Sequence, residues 1–437
     1  MSRRCLLPPV LCLAVALSLA VRTRAAEPTC TLAVTTDRPD ALYAVGQEIE
    51  FAVKLLKDGK PVREGQVSYV LDNDGKEPVR KGSASLEGPT VIRGSLAKPG
   101  FLRCQVSWQG GGKKPLTAMA AAGIEPQKIP PSLPVPDDFD AFWAGQKRKL
   151  AQVPAKATLT PVKSPDAGVE CFDVQVACLG KPVSGYLARP AGARPKTLPA
   201  ILYVHGAGVG GSSLGAAVAG AKKGMLSMDI NAHGIPNGKP PAFYTQLSKG
   251  ELNEYRTSGR EDREKCYFLG MFLRLIRAID FLCSQPEWDG TVLVVTGHSQ
   301  GGGQAISAAG LDPRVSFFAA GVPAICDHTG CAIGRINGWP KLVPNRADGK
   351  PDPAALQVAR YFDGMNLATR AKGEAIFSVG FIDVTCPPTS VYAAYNNVPG
   401  KKQMVEEPLM GHAAPPKVGA VFSKAIEEHV RSKKAAK

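Results

Sequence analysis

The segment Val292-Leu293-Val294-Val295-Thr296 runs without interruption into Gly297-His298-Ser299-Gln300-Gly301, and Gly302, Gly303 and a small-residue stretch from Gln304 to Ala309 follow. A short, continuous apolar run reads as a fully buried strand, and the stretch behind it reads as a helix. Gly-x-Ser-x-Gly at such a junction predicts a nucleophile elbow, a turn so tight that side chains at its flanks would clash and the serine hydroxyl is lifted above the sheet. The following helix would present its N-terminal amides to any negative charge that forms there.

The texture around this junction agrees with it. Leu198 to Val204 and Ala375 to Val379 are further apolar strands, and Lys265 to Leu282 has helical periodicity. Strand and helix in alternation imply an α/β fold, a mostly parallel sheet with helices on both faces. The 437 residues exceed what one core usually serves. From Thr29 to about Gly123 short alternating segments such as Glu50 to Leu55, Gln66 to Val70, Thr90 to Leu96 and Leu102 to Trp108 are separated by turns such as Asp72-Asn73-Asp74-Gly75. That pattern predicts a small, Ig-like β-sandwich over residues 27–125, serving as spacer or packing partner, or binding carbohydrate. A Pro-rich connector, Pro126 to Pro136, opens the catalytic domain, residues 126–437, and Asp137 to Trp143 reads as a helix start. The Lys-rich end, Arg431 to Lys437, reads as a frayed tail.

Arg3 and Arg4 precede an apolar run from Leu6 to Val21 and a small-residue site at Thr23 to Ala26, which predicts a cleaved secretory signal peptide over residues 1–26. Pro8 and Pro9 interrupt the run, which is short for a membrane span, so no stable anchor is expected after cleavage. The chain carries 53 Lys+Arg against 38 Asp+Glu, and removing Arg3, Arg4, Arg22 and Arg24 from a net charge of +15 leaves +11. No nucleic-acid motif accompanies this charge, so a nucleic-acid partner is not expected; an acidic polysaccharide suits it better. The expected location is periplasmic or extracellular. Export permits disulfides, and nine cysteines remain after Cys5 and Cys12 are set aside from the 11. Cys30 with Cys104, Cys171 with Cys178, and Cys326 with Cys331 are candidate pairs, and the odd count leaves at least one thiol without an intramolecular partner. No C-x-x-C pair is present, and neither a metal nor an organic cofactor is expected.

A serine nucleophile needs a base, and the elbow architecture orders its partners as serine, acid, histidine. Downstream of Ser299 lie His328, His412 and His429. His429, in Ala425 to Val430, reads as a solvated face of a terminal helix, and His328 comes too early to leave room for the acid strand. His412, in the loop Gly411-His412-Ala413-Ala414, is the expected base. The strand Ala375 to Gly380 leads to Phe381-Ile382-Asp383, which makes Asp383 the expected acid; Asp327 and Asp363 cap no apolar strand. The oxyanion donors are expected to be the backbone N–H of Gln300 and that of Ala207 in Tyr203-Val204-His205-Gly206-Ala207-Gly208, with His205 a hydrogen-bonded structural residue. His233 and His298 are candidate substrate contacts or supports of the site.

Together the Phe139 to Trp143 segment, the His-Gly loop at His205, Gly-His-Ser-Gln-Gly-Gly at Gly297 to Gly302, and Asp383-Val384-Thr385-Cys386-Pro387-Pro388 resemble the acetylxylan esterase/cephalosporin C deacetylase family of α/β-hydrolases over roughly residues 130–430. The resemblance implies hydrolysis of acetyl esters on sugars, with Ser299, Asp383 and His412 as triad and Gln300 and Ala207 as oxyanion donors. Two departures stand out. Asp229-Ile230-Asn231-Ala232-His233-Gly234 replaces the family's Arg-Gly-Gln element, and His412-Ala413 replaces its usual His-Glu. Both bear on substrate and oligomeric arrangement more than on chemistry. A serine peptidase or broad carboxylesterase on the same fold, and a non-catalytic carbohydrate-binding protein, are the alternatives.

Overall fold

Residues whose side chains are apolar without alternation cannot face water on either side of a sheet, and the structure places these runs at its centre. The computed structural model describes residues 29–76, 78–110 and 114–435; the signal peptide expected over residues 1–26 lies outside them. The N-terminal strands are β1 (Cys30–Thr36), β2 (Leu42–Tyr43), β3 (Ile49–Lys57), β4 (Lys60–Pro61), β5 (Gln66–Asn73), β6 (Pro78–Ser85), β7 (Thr90–Gly94), β8 (Gly100–Trp108) and β9 (Leu116–Ile124). They form a four-stranded sheet in which β3 pairs with β1, β4 and β7, and a five-stranded sheet in the order β2-β9-β8-β5-β6. Val34, Phe51 and Ile92 of the first sheet and Val67, Leu71 and Val106 of the second are buried, as the alternating pattern of a two-sheet sandwich requires.

The connector that follows is tied down rather than loose, because the Asn396 side chain donates to the carbonyls of Pro126 and Ile129 at 3.0 Å each. Beyond it come α1 (Phe139–Ala151), β10 (Ala157–Val162), β11 (Val169–Val176), β12 (Val183–Pro190), β13 (Leu198–Val204), α2 (Leu214–Lys222), β14 (Leu226–Ile230), α3 (Pro241–Lys249) and α4 (Tyr267–Ser284). The second half holds β15 (Trp288–His298), α5 (Gln300–Leu311), β16 (Phe317–Gly321), α6 (Pro353–Ala359), α7 (Gly364–Ala368), β17 (Glu374–Gly380), α8 (Pro388–Asn396), β18 (Lys402–Glu407) and α9 (Pro416–Ala435). One nine-stranded sheet runs β10-β11-β12-β14-β13-β15-β16-β17-β18. Pairs from β14 to β18 are parallel, and the edge made by β10, β11 and β12 is antiparallel. This is the α/β-hydrolase arrangement with a strand-rich domain in front of it.

Three expectations are corrected. Each of the nine cysteines among the described residues is a free thiol. Cys171 lies within β11 and Cys178 just past its end, about 23 Å apart at the rise of an extended chain, far beyond disulfide reach. Cys30, at the start of β1, and Cys104, buried in β8, are both unbridged, and the Cys326 thiol donates to the carbonyl of Ala324. The Lys-rich end is helical through Ala435, as the last turns of α9. His429, expected in solvent, is buried under that helix, with Nε2 3.1 Å from Ser316 Oγ and Nδ1 3.3 Å from Glu374.

The β-sandwich is not a detached appendage. The Asp74 carboxylate accepts the backbone N–H of Thr389, in the first turn of α8, at 3.1 Å. Phe101 of β8 packs on Phe381 and Tyr392 of the larger domain, with ring centroids 5.0 and 5.7 Å away. The sandwich therefore buttresses the segment that follows β17.

Candidate active site

At the end of β15 the chain reverses within one residue. Ser299 has φ 58° and ψ −122°, a conformation that costs a non-glycine residue backbone strain. The surroundings hold it there: its N–H donates to Gly321 O at 2.8 Å, and its carbonyl accepts from Gly303 and Ala324 at 3.1 and 2.9 Å. The flanking glycines are steric necessities. A Cβ on Gly297 would lie 2.7 Å from Val204 O, and one on Gly301 2.4 Å from the same oxygen. The Ser299 hydroxyl thus stands at the N-terminus of α5, where the first N–H groups have no partner within the helix.

His412 follows β18, and its Nε2 lies 2.9 Å from Ser299 Oγ. Its Nδ1 lies 2.8 Å from Asp383 Oδ2. Asp383, which follows β17, is fully buried, and its other oxygen accepts the backbone N–H groups of Thr385 and Cys386 at 2.8 and 2.9 Å. Because both amides can only donate, they fix that carboxylate in place and leave Oδ2 to accept from the imidazole. With Nδ1 protonated, Nε2 is free to accept the serine proton. The three side chains expected from sequence therefore form one continuous hydrogen-bonded chain. Asp327 and Asp363 do not join it; Asp363 caps α7 and accepts the N–H groups of Asp327 and His328.

The loop after β13 lies against the elbow. A Cβ on Gly206 would be 3.4 Å from His298 O and 3.9 Å from Ser299 Cβ, so Ala207 follows directly on the residue that faces the nucleophile. Gln304 of α5 donates to His205 O at 2.9 Å, tying helix and loop together. His205 is hydrogen-bonded as expected, its Nε2 2.6 Å from Asp229 Oδ1.

His233 is buried and has no ring nitrogen free for a substrate. Its Nε2 lies 2.8 Å from Gly208 O and its Nδ1 2.6 Å from the Tyr267 hydroxyl. A carbonyl can only accept, so Nε2 carries the proton and Nδ1 accepts from Tyr267. Burial pushes the His233 pKa down to about 4, consistent with this neutral form. His298 sits beside the triad with its ring 5.8 Å from that of His412, and burial, followed by the neighbouring imidazole, lowers its pKa.

Two neighbours were not anticipated. Tyr255, in a 3₁₀ turn over Tyr255–Thr257, accepts the N–H of Gly208 at 3.3 Å and donates to Gln300 Oε1 at 2.9 Å. The Cys386 thiol lies beside the Ser299 hydroxyl, and burial raises its pKa, which keeps it a thiol. Asp383, Cys386 and His412 place ligand atoms within 4.8 Å of one another, but the acid and base are already committed to each other.

A serine, imidazole and buried carboxylate in this order, beside a helix N-terminus, can support nucleophilic acyl transfer. The chain is similar to proteins named as acetyl esterases. The chain is 29% identical over 382 residues to acetyl esterase Axe7A of Xylanibacter ruminicola, covering 85% of this chain and 84% of the relative. The acetyl xylan esterase of Paenibacillus sp. R4 superposes with a TM-score of 0.60 at 29% identity, over 70% of this chain and 98% of that one. Acetyl xylan esterase 1 of Thermoanaerobacterium sp. JW/SL YS485 shares the fold, with a TM-score of 0.57 at 23% identity over 70% of this chain and 98% of that one. The model of the acetyl xylan esterase family, AXE1, matches residues 125–424. The strand-to-helix elbow, the sheet order and this match over most of the chain lead to one conclusion: the protein belongs to the acetyl xylan esterase family and is a carboxylic ester hydrolase.

Proposed function

We propose that the protein removes acetyl groups from acetylated polysaccharides or oligosaccharides through an acyl-enzyme on Ser299. His412 takes the serine proton as Oγ attacks the ester carbonyl, and the charge on the carbonyl oxygen is met by the N–H groups of Gln300 and Ala207. The tetrahedral intermediate collapses, the C–O bond to the sugar breaks, and His412 returns the proton to the departing alcohol. Water then attacks the acetyl-serine by the same route and releases acetate. Asp383 keeps Nδ1 protonated and stabilises the imidazolium at each stage.

The observation that carries this reading is the unbroken chain from Ser299 Oγ through His412 to buried Asp383. The contact between Ser299 and His412 is exposed, and Val384 and Leu409, each 59% exposed, follow closely on the acid and precede the base. An open site of this kind suits a small acyl group on a large alcohol better than a long acyl chain that must be enclosed. The net positive charge of the chain supports an acidic glycan as the polymer, and the expected export signal supports action outside the cytoplasm.

The test is acetate release measured across acetylated xylan, pectin, mannan and acetylated monosaccharides, with a long-chain acyl ester and a peptide amide alongside. Turnover is expected on at least one acetylated glycan, with the long-chain ester and the amide slower by at least about two orders of magnitude. Preference for the amide or the long acyl chain contradicts the reading.

A further inference from the structure

We propose that Tyr255 is a positioning residue that sets the spacing of the two oxyanion donors, a role that rests on the assignment of Ala207 and Gln300 as those donors. The two amides belong to elements far apart in sequence, the loop after β13 and the N-terminus of α5. An oxyanion hole works only when both N–H groups converge on the place where charge develops, and loss of that convergence weakens transition-state binding specifically. The loop side has little stiffness of its own, because Gly206, Gly208, Gly210 and Gly211 crowd it and Gly208 has φ +136°.

Tyr255 joins the two sides through one oxygen. The Gly208 amide can only donate, so the hydroxyl accepts from it at 3.3 Å and spends its single proton on Gln300 Oε1 at 2.9 Å. The Gln300 side chain is fully buried and its Nε2 finds no acceptor among the described residues, which leaves Tyr255 to orient it. Gly208 is held on its other side as well, its carbonyl accepting from His233 Nε2 at 2.8 Å. Tyr255 is itself wedged in place, its ring 4.7 Å from that of His233 and 4.8 Å from that of Tyr267. Burial raises its pKa, so the hydroxyl keeps the proton that Gln300 needs.

The experiment uses the full chain and p-nitrophenyl acetate. Tyr255→Phe keeps the ring and removes only the hydroxyl, and kcat is expected to fall about 10- to 100-fold with KM within about twofold. Gln300→Met keeps the backbone donor and removes Oε1, and the double variant is expected to be no slower than Tyr255→Phe alone, because both changes cut the same link. Rates are expressed per folded enzyme from thermal unfolding of each variant, so that lost stability is separated from lost kcat. A kcat for folded Tyr255→Phe within twofold of wild type, or additive effects in the double variant, overturns the proposal. Ser299→Ala in the same assay separates the two levels: turnover in that variant sinks the triad itself, whereas an inactive Ser299→Ala beside an unimpaired Tyr255→Phe sinks only the role of Tyr255.

Discussion

Phe101 of the β-sandwich meets Phe381 edge to face, with ring centroids 5.0 Å apart and planes at 67°, and Phe381 stands two residues before Asp383. The two domains thus share a core at the point where the acid leaves its strand. Both rings are fully buried, so truncating one leaves a cavity as well as lost apolar burial.

Phe101→Ala is therefore expected to cost about 3–5 kcal/mol of stability by urea unfolding. It should also lower kcat in the folded protein, because Phe381 loses the surface that holds it. A loss below about 1 kcal/mol contradicts the shared core and returns the sandwich to the status of a spacer.

Asp383→Asn tests the tautomer. The two backbone amides at Thr385 and Cys386 need an acceptor, so the asparagine oxygen is expected to stay with them and turn its NH₂ toward His412 Nδ1. Nδ1 must then accept, the proton moves to Nε2, and the base can no longer take the Ser299 proton. The expected fall in kcat is about 10⁴-fold with little change in the fold. A fall of less than about tenfold rules out Asp383 as the group that orients the base.

A residue's role can be read from the sequence when it is written in its neighbours. Ser299 and Asp383 are readable because each sits at or just beyond the end of an apolar strand, whereas His412 follows the largely polar β18 and is reached through the order of the partners and the exclusion of His328 and His429. The expectation that Ala207 and Gln300 are the oxyanion donors rests on the same local signals. Tyr255 carried no such mark: it lies in a 3₁₀ turn, 45 residues before the glutamine it contacts, and only the packing of the segment between α3 and α4 brings it there. His429 misled for a related reason. Its flanking Glu427, Glu428 and Arg431 read as solvent-facing, while the helix turns its own side chain onto Ser316 and Glu374. The spacing of Cys171 and Cys178 also misleads, because closeness in sequence along a strand is distance in space.

The buried His233 makes a pH-dependent contribution whose sign is fixed. Its folded pKa of about 4 lies below the ordinary value of 6.5, so the unfolded chain binds more protons between those limits. The contribution is fully present above pH 6.5 and is lost as pH falls toward 4. Asp74 and Asp363, raised by burial to about 6 and about 7, act in the opposite sense, so the difference between two proteins is the informative quantity. The melting temperature of wild type relative to His233→Gln should decline as pH drops from 6.5 to 4. A constant difference across that window contradicts a neutral, doubly hydrogen-bonded His233.

In the proposed mechanism Ser299 carries the acetyl group between sugar and water. Acid quenching of the enzyme during turnover of an acetyl ester, followed by peptide mass analysis, should find one added acetyl group on the peptide that contains Ser299. The same experiment on Ser299→Ala should find none, with acetate release reduced by at least about 10⁴-fold. An acetyl group on another residue, or undiminished acetate release from the folded Ser299→Ala protein, rules out Ser299 as the nucleophile.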